Sequence, residues 1–318
     1  MADKSIVSNS KLTAIANAIR SKTGSTENLT LDNMVTKIQS MSGAGSGGGL
    51  KTLLDATKSC YYLFYQYTGT SVDDLINYSD TENVTSMNCM FYHCDNLQTI
   101  PELNTSKVTS MDNMFNYCIS LETIPQLDTG KVTNMFKMFT QCTNLTTIPL
   151  LDTSEVTNMS YMFSNCSKLT PIPLLDTSKV TNMDNMFSNC SNLTTIPLLD
   201  TSKVTNMSYM FRGCSNLQTI DIISMDKITS AVKSYSMCDN CNSLTKLIIR
   251  TMTTTPTLYS NAFTNCYHFT GTVNSTYNPD GLKDGRIYVP DNMVDSLKAA
   301  TNWSVYADII VPLSTLTE

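Results

Sequence analysis

Six cysteines stand 24 residues apart, at Cys94, Cys118, Cys142, Cys166, Cys190 and Cys214, and everything around them repeats at that period. The unit from Asp152 to Leu175 reads DTSEVTNMSYMFSNCSKLTPIPLL, and the next, from Asp176 to Leu199, reads DTSKVTNMDNMFSNCSNLTTIPLL. Fixed self-similarity of this kind marks a solenoid, in which each unit buries its apolar face only against its neighbours. The repeat therefore predicts an α/β repeat solenoid of the leucine-rich-repeat kind. Such arrays mostly present long surfaces for binding, which weighs against an enzyme.

Within a unit, a valine is followed three residues on by a methionine, as in Val156 and Met159. A Met-Phe pair and the cysteine come next, as in Met162, Phe163 and Cys166. Spacings of 3, 3, 1 and 3 describe one face of a short helix or 3₁₀ segment. The L-x-x-I that follows, as in Leu193 to Ile196, is threonine-rich and reads as a short strand. Proline closes five of these segments, at Pro101, Pro125, Pro149, Pro173 and Pro197, where a strand without a donor must stop.

The array frays at its ends, as terminal repeats do. Asp55 to Leu75 reads as a degenerate first unit, with Leu63-Phe64 at the Met-Phe position and Cys60 at the inner methionine position. Downstream, Ile228, Tyr235 and Leu244 keep the register loosely, with a three-residue slip expected near Cys238 to Cys241. Ala262-Phe263 and Cys266 mark a last imperfect unit. Arg286 to Val289 is expected as a strand stopped by Pro290, then a helix capped by Asp291, with Trp303 and Tyr306 closing the stack. Residues 50–290 form the expected solenoid and 291–318 its cap helix and tail. Ahead of them, residues 1–42 carry two amphipathic stripes, at Leu12, Ile15, Ala16 and Ile19 and at Leu31, Met34, Val35, Ile38 and Met41. These predict a helical hairpin too small to be stable alone. Residues 43–49 are a glycine-rich linker by composition.

Composition excludes several functions. The net charge is −6 and only 15% of residues are charged, which argues against nucleic acid and against docking on anionic lipid. No apolar run approaches the ~20 residues of a membrane span, and the first residues lack a hydrophobic signal core. The repeated cysteines are expected as reduced core residues, because stacked equivalent side chains point in parallel. Cys238 and Cys241 form a lone C-x-x-C without a second pair at zinc spacing. His93 and His268 each neighbour a repeat cysteine but are read as loop residues, so no catalytic residue is assigned. Asp128, Asp152, Asp176 and Asp200 recur once per turn; the following Thr and Ser favour turn capping over calcium. No metal and no cofactor are expected.

What differs between units is the residues between the methionines and those just before the cysteine. These include Tyr92, Tyr117, Phe136, Lys137, Tyr161, Asn185, Tyr209 and Arg212, which form the candidate binding surface. Partly aromatic residues varying on a constant frame suit a recognition face. A second outward row, Gln98, Glu122, Thr146, Thr170, Thr194 and Gln218, is flat and polar.

The repeated unit, as in TSKVTNMSYMFRGCSNLQTI from Thr201 to Ile220, resembles the BspA-type leucine-rich repeats of bacterial surface proteins over roughly residues 50–270. The ending GRIYVPDNMVDSLKAATNWSVYADIIVPL is similar to the terminal cap of such proteins in Firmicutes and their phages. Residues 11–41 are similar to a short module of structural proteins of phages of Gram-positive hosts. The resemblances imply adhesion without catalysis. With no signal core and no anchoring motif read after Val311, they imply a phage virion appendage of tail or capsid. Residues 1–42 would then bind other virion proteins or further copies in a homo-oligomer, and the solenoid would face a host glycan or protein. A bacterial surface adhesin and an intracellular partner-binding solenoid are the alternatives.

Overall fold

The computed structural model describes residues 48–317, and the expected hairpin over 1–42 lies outside them. The last glycines of the linker run, Gly48 and Gly49, open a helix, α1 (Gly48–Thr57), which seats Leu50 and Leu54 on the first rung. Rungs then stack as a leucine-rich-repeat-like solenoid. Each inward set matches the repeat: Val156, Met159, Met162, Phe163, Cys166, Leu169, Ile172 and Leu175 are all buried in one continuous core. The phenylalanines form a ladder through the centre. Rings stack from Phe64 to Phe91, Phe115, Phe139, Phe163, Phe187 and Phe211, with centroids 5.4–5.7 Å apart.

The segment expected as a short helix or 3₁₀ segment is instead a string of tight turns that keeps only the three-residue bonds of a 3₁₀ helix. In one unit, the N–H groups of Met159, Tyr161, Phe163 and Asn165 donate to the next rung, to the carbonyls of Asn182, Asp184, Met186 and Ser188, at 2.7–3.1 Å. Those of Met162, Ser164 and Cys166 donate back three residues at 3.0–3.1 Å. A helix spends every donor on its own axis; here alternate donors leave for the neighbouring rung. Tyr161 and Asn165 also sit at φ 59° and 63°, left-handed values that a right-handed helix excludes.

The strand expectation also needs correction, for a different reason. In the units that end in proline, the L-x-x-I segment forms no strand, though one N–H per rung still crosses, as from Thr146 to Glu122 and from Thr170 to Thr146 at 3.1 Å. Proline supplies no N–H to bridge rungs there. Where Asp221 replaces the proline, the segment becomes β1 (Thr219–Ser224). It pairs in parallel with β2 (Lys246–Thr251), with Ile220 opposite Leu247. Among the proline-ended rungs the recurring pairing lies elsewhere, in single parallel bridges joining Ser86, Ser110, Asn134, Asn158, Asn182 and Asn206.

The three-residue slip falls earlier than expected. Ile228 still closes its turn on Met225 as Val204 does on Thr201. Phe211 then donates to Met237, 26 residues on, where Phe187 donates to Met210, 23 residues on. The extra residues therefore lie around the 3₁₀ turn Ala231–Ser234. Cys238 occupies the phenylalanine position of its rung and Cys241 the usual cysteine position. The C-x-x-C is thus one rung's inward pair.

Beyond α2 (Tyr267–Thr270), β3 (Arg286–Val289) continues the sheet as expected. Asp291 does not cap a helix: it begins a 3₁₀ turn, and its carboxylate accepts from the Ser314 N–H at 3.0 Å. The cap helix proper is α3 (Val294–Ala299), and β4 (Ile310–Pro312) completes a four-stranded parallel sheet in the order β1-β2-β3-β4. Trp303 is fully buried 6.2 Å from the Phe263 ring, and its indole N–H donates to the Pro256 carbonyl at 2.9 Å. Tyr306 packs edge-on to the same phenylalanine at 5.3 Å.

Candidate functional site

The turns decide which side chains face outward. Two columns of residues hold positive φ, one between the methionines and one just before the cysteine. The first contains Cys89, Asn113, Lys137, Tyr161, Asn185 and Tyr209; the second His93, Tyr117, Gln141, Asn165, Asn189 and Gly213. Asparagine and glycine enter this region at little cost, but tyrosine, lysine, histidine and glutamine do not. Each such residue stores roughly 1–3 kcal/mol of backbone strain. Gly213 is a fitting exception, because a Cβ there would meet the Asn189 amide oxygen at 2.3 Å.

The structure gathers the predicted surface residues into three groups. Tyr92 and Tyr117 approach to 6.4 Å at the first group, where Tyr92 also stacks on Tyr65 at 5.6 Å. Tyr61 and Tyr62 extend this group toward the first rung. His93 is no bystander: its ring stacks on Tyr117 at 4.2 Å while its Nδ1 lies 3.5 Å from Asp95. In the second group, Phe136 and Tyr161 lie 6.1 Å apart, and the Lys137 ammonium sits over both rings at 5.0 and 5.1 Å. The third joins Tyr209, Tyr235 and Tyr259 at 5.0 and 4.5 Å, with Arg212 over the Tyr209 ring at 5.7 Å and 3.5 Å from Asp239. Asn185 joins no ring. Its amide donates to the Asp184 carboxylate at 3.1 Å, in the gap between the second and third groups.

Sequence reading missed Tyr61, Tyr62, Tyr65, Tyr235 and Tyr259. They stand in the degenerate first unit and beyond the inserted residues, where the 24-residue count no longer finds them.

Of the carboxylates near the rings, Asp112 and Asp184 are raised. Burial pushes Asp112 up to about 6, partly offset by a hydrogen bond from Ser110, and one of its oxygens is buried without a partner. Asp184 is likewise raised by burial, against hydrogen bonds from Asn185 and Tyr161. Burial raises the Tyr161 and Tyr92 phenols too.

Elsewhere the chemistry is structural. All eleven cysteines are buried thiols. The thiols of Cys118, Cys142, Cys166 and Cys190 donate to the carbonyls of Phe91, Phe115, Phe139 and Phe163 at 3.0 Å, and burial raises each of the four. A raised, enclosed thiol makes a poor nucleophile. Asp128, Asp152, Asp176 and Asp200 cap their turns, accepting from the N–H two residues on at 2.9–3.3 Å. Among the described residues, no group of three His, Cys, Asp or Glu is arranged to hold a metal. No described helix is long and apolar enough to cross a membrane.

The fold and its outward columns define a leucine-rich-repeat-like solenoid with a side-chain face built on left-handed turns. The profile of one family, described as "Mycoplasma protein of unknown function, DUF285", matches residues 58–172 and 168–276, and the chain belongs to that family. No curated protein matches the chain. Among solved structures, the chain is similar to one titled "Crystal structure of TLR13-ssRNA13 complex". The identity is 13% and the TM-score 0.25, over 70% of this chain and 45% of that one. The chain thus spans less than half of that protein's length.

Proposed function

We propose that the protein is a non-enzymatic recognition solenoid, whose two left-handed columns meet a glycan or protein on a cell surface. One observation carries this reading: aromatic and cationic side chains are held at backbone positions that glycine or asparagine would fill with less strain. Packing does not require them there, since they point away from the phenylalanine core. Within this reading, the resemblance of residues 11–41 to phage structural proteins supports display on a virion, with residues 1–42 contacting other virion proteins or further copies. The family match, whose description speaks of Mycoplasma proteins, favours a second reading as a cell-surface adhesin.

The test is binding of the full chain to intact cells of candidate hosts. Tyr117→Ala, Tyr161→Ala and Tyr209→Ala together should abolish binding while leaving the melting temperature nearly unchanged. Binding that survives all three changes would end the proposal. Localising the protein by immunogold, on particles or on cell envelopes, separates the virion from the adhesin.

A further inference from the structure

Along the turns that carry the aspartates, a different surface is left open. The residue after each proline points outward, and Leu150, Leu174 and Leu198 are exposed by 63, 67 and 41%. The equivalent positions before them are Glu102 and Gln126. After them the parallel pairing of Leu199 with Ile222 sets Asp221, the residue in place of the proline, beside Leu198, and its carboxylate pairs with Arg250 at 2.6 Å. The apolar stripe is therefore three rungs long and polar at both ends. Asp152 and Asp176 border it, each using one oxygen on its turn. Among the described residues neither is in an ion pair.

A groove of about 620 Å³ runs here, lined by Gln126, Leu150, Leu174, Asp152, Asp176 and Thr129. Thr129 is 1% exposed and its hydroxyl has no partner. The same hydroxyl in Thr153 and Thr201 bonds the next rung's carbonyl at 2.9 and 2.6 Å. Apolar surface, a line of carboxylates outside any ion pair, though with Lys179 near Asp176, and an unpartnered hydroxyl together call for an amphipathic, basic occupant.

The chain supplies one. Residues 1–47 hold Lys4, Lys11, Arg20, Lys22 and Lys37 against Asp3, Glu27 and Asp32, a net of +2; the whole chain carries −6, so the rest carries −8. Lys11, Arg20 and Lys22 flank the stripe Leu12, Ile15, Ala16 and Ile19. A helical stripe of that span is about 10 Å long. Two rung steps, from Leu150 to Leu198, also cover about 10 Å.

The exit point fits as well. Helix α1 lies at the head of the aspartate-threonine column, where Asn83 donates to Asp55 at 2.9 Å and Lys51 pairs with Glu82. From there to the groove is roughly four rungs, about 20 Å. The 28 residues between Ile19 and Gly48 include the second expected helix over 31–41, and the 17 outside it span up to about 55 Å when extended, enough for that distance. A tether of that length gives a millimolar-range effective concentration, favouring the same chain over another copy.

We propose that the groove between Leu150 and Leu174 and the aspartates Asp152 and Asp176 is a docking site for residues 8–22 of the same chain. It holds the segment in the free protein.

The experiment uses the full chain. Trypsin cleavage after Arg20 and Lys22 is timed by mass spectrometry, alongside hydrogen exchange of residues 8–22. Wild type is compared with Leu150→Ser/Leu174→Ser and with Asp152→Asn/Asp176→Asn; asparagine keeps the capping oxygen and removes the charge. Cleavage should quicken about tenfold in the serine variant and about two- to threefold in the asparagine variant at low salt, with the melting temperature of the solenoid held. Should the serine variant lose its fold, the asparagine variant decides. Equal cleavage in wild type and variants overturns the proposal. Protection that rises with protein concentration, together with a doubled mass in light scattering, also overturns it and gives the groove to a second copy.

Discussion

The two ends of the solenoid solve one problem in different ways. From Val84 to Leu217 each rung is tied to the next through turns and single bridges, because proline closes its extended segment. From Thr219 onward, where Asp221 stands in place of proline, a four-stranded parallel sheet joins the turn bonds, which continue from Phe211 to Met237 and from Cys238 to Ala262. The inward residues hardly change across the boundary: Leu217, Ile220, Leu244 and Leu247 are all fully buried. The core therefore sets the stacking, and the backbone takes whichever pairing the side chains permit.

Four experiments press the comparison. The largest effect belongs to the shared core. Phe163→Ala removes a ring stacked at 5.7 Å on both neighbours and should cost about 3–5 kcal/mol in denaturant unfolding, whereas Tyr161→Ala on the outer column should cost under about 1. Equal losses would show that the ladder is not the core. Next, Ile248→Pro in the central strand β2 should cost about 2–4 kcal/mol, while Pro173→Val in the turn-built region should change stability by less than about 1. If the two regions respond alike, the sheet is not what holds the C-terminal part.

A smaller effect tests the turns. Asn165→Val places a β-branched residue at φ 63° and should cost roughly 1–2 kcal/mol, while Asn165→Gly should be nearly neutral. Similar costs for both would contradict left-handed turns.

The smallest effect is one of pH. Asp112 is raised to about 6 in the folded protein, against about 3.9 when unfolded. The folded state then binds more protons between those values, so this group's contribution falls as pH rises from about 4 to about 6 and is level above. Asp112→Asn should match wild type near pH 4 and exceed it at pH 7. The difference in melting temperature between the two proteins, measured across that window, is the check, since other carboxylates cancel. A difference that does not vary with pH would mean that Asp112 is solvated.

Much of this was legible in the sequence. Period, inward set, degenerate first unit and the closing role of Phe263, Trp303 and Tyr306 follow from which residues are apolar and how they recur. The turns were not legible from that pattern, because spacings of 3, 3, 1 and 3 fit a helix and a chain of tight turns equally. What separates them is where the N–H groups go, and apolar periodicity does not record it. The clue was turn chemistry: Asn165, Asn189 and Gly213 share a column that demands positive φ. The strand expectation failed where Pro173 and its equivalents remove a donor. Of the candidate site, the columns were readable but their grouping was not. Tyr235 reaches Tyr209 only after extra residues displace the count, and Tyr62 reaches Tyr92 from a unit that has lost most of its motif.

Because each regular rung gives and takes the same bonds, none of them records its own place in the stack. A gene encoding such a chain can gain or lose a block of 24 codons by unequal recombination, and the neighbours close over the change without a mismatch. Every such event lengthens or shortens the outward face by one step of about 5 Å and shuffles which ring stands beside which. On the recognition role proposed above, a lineage retunes its grip on a target by counting, while the two irregular end regions stay as they were.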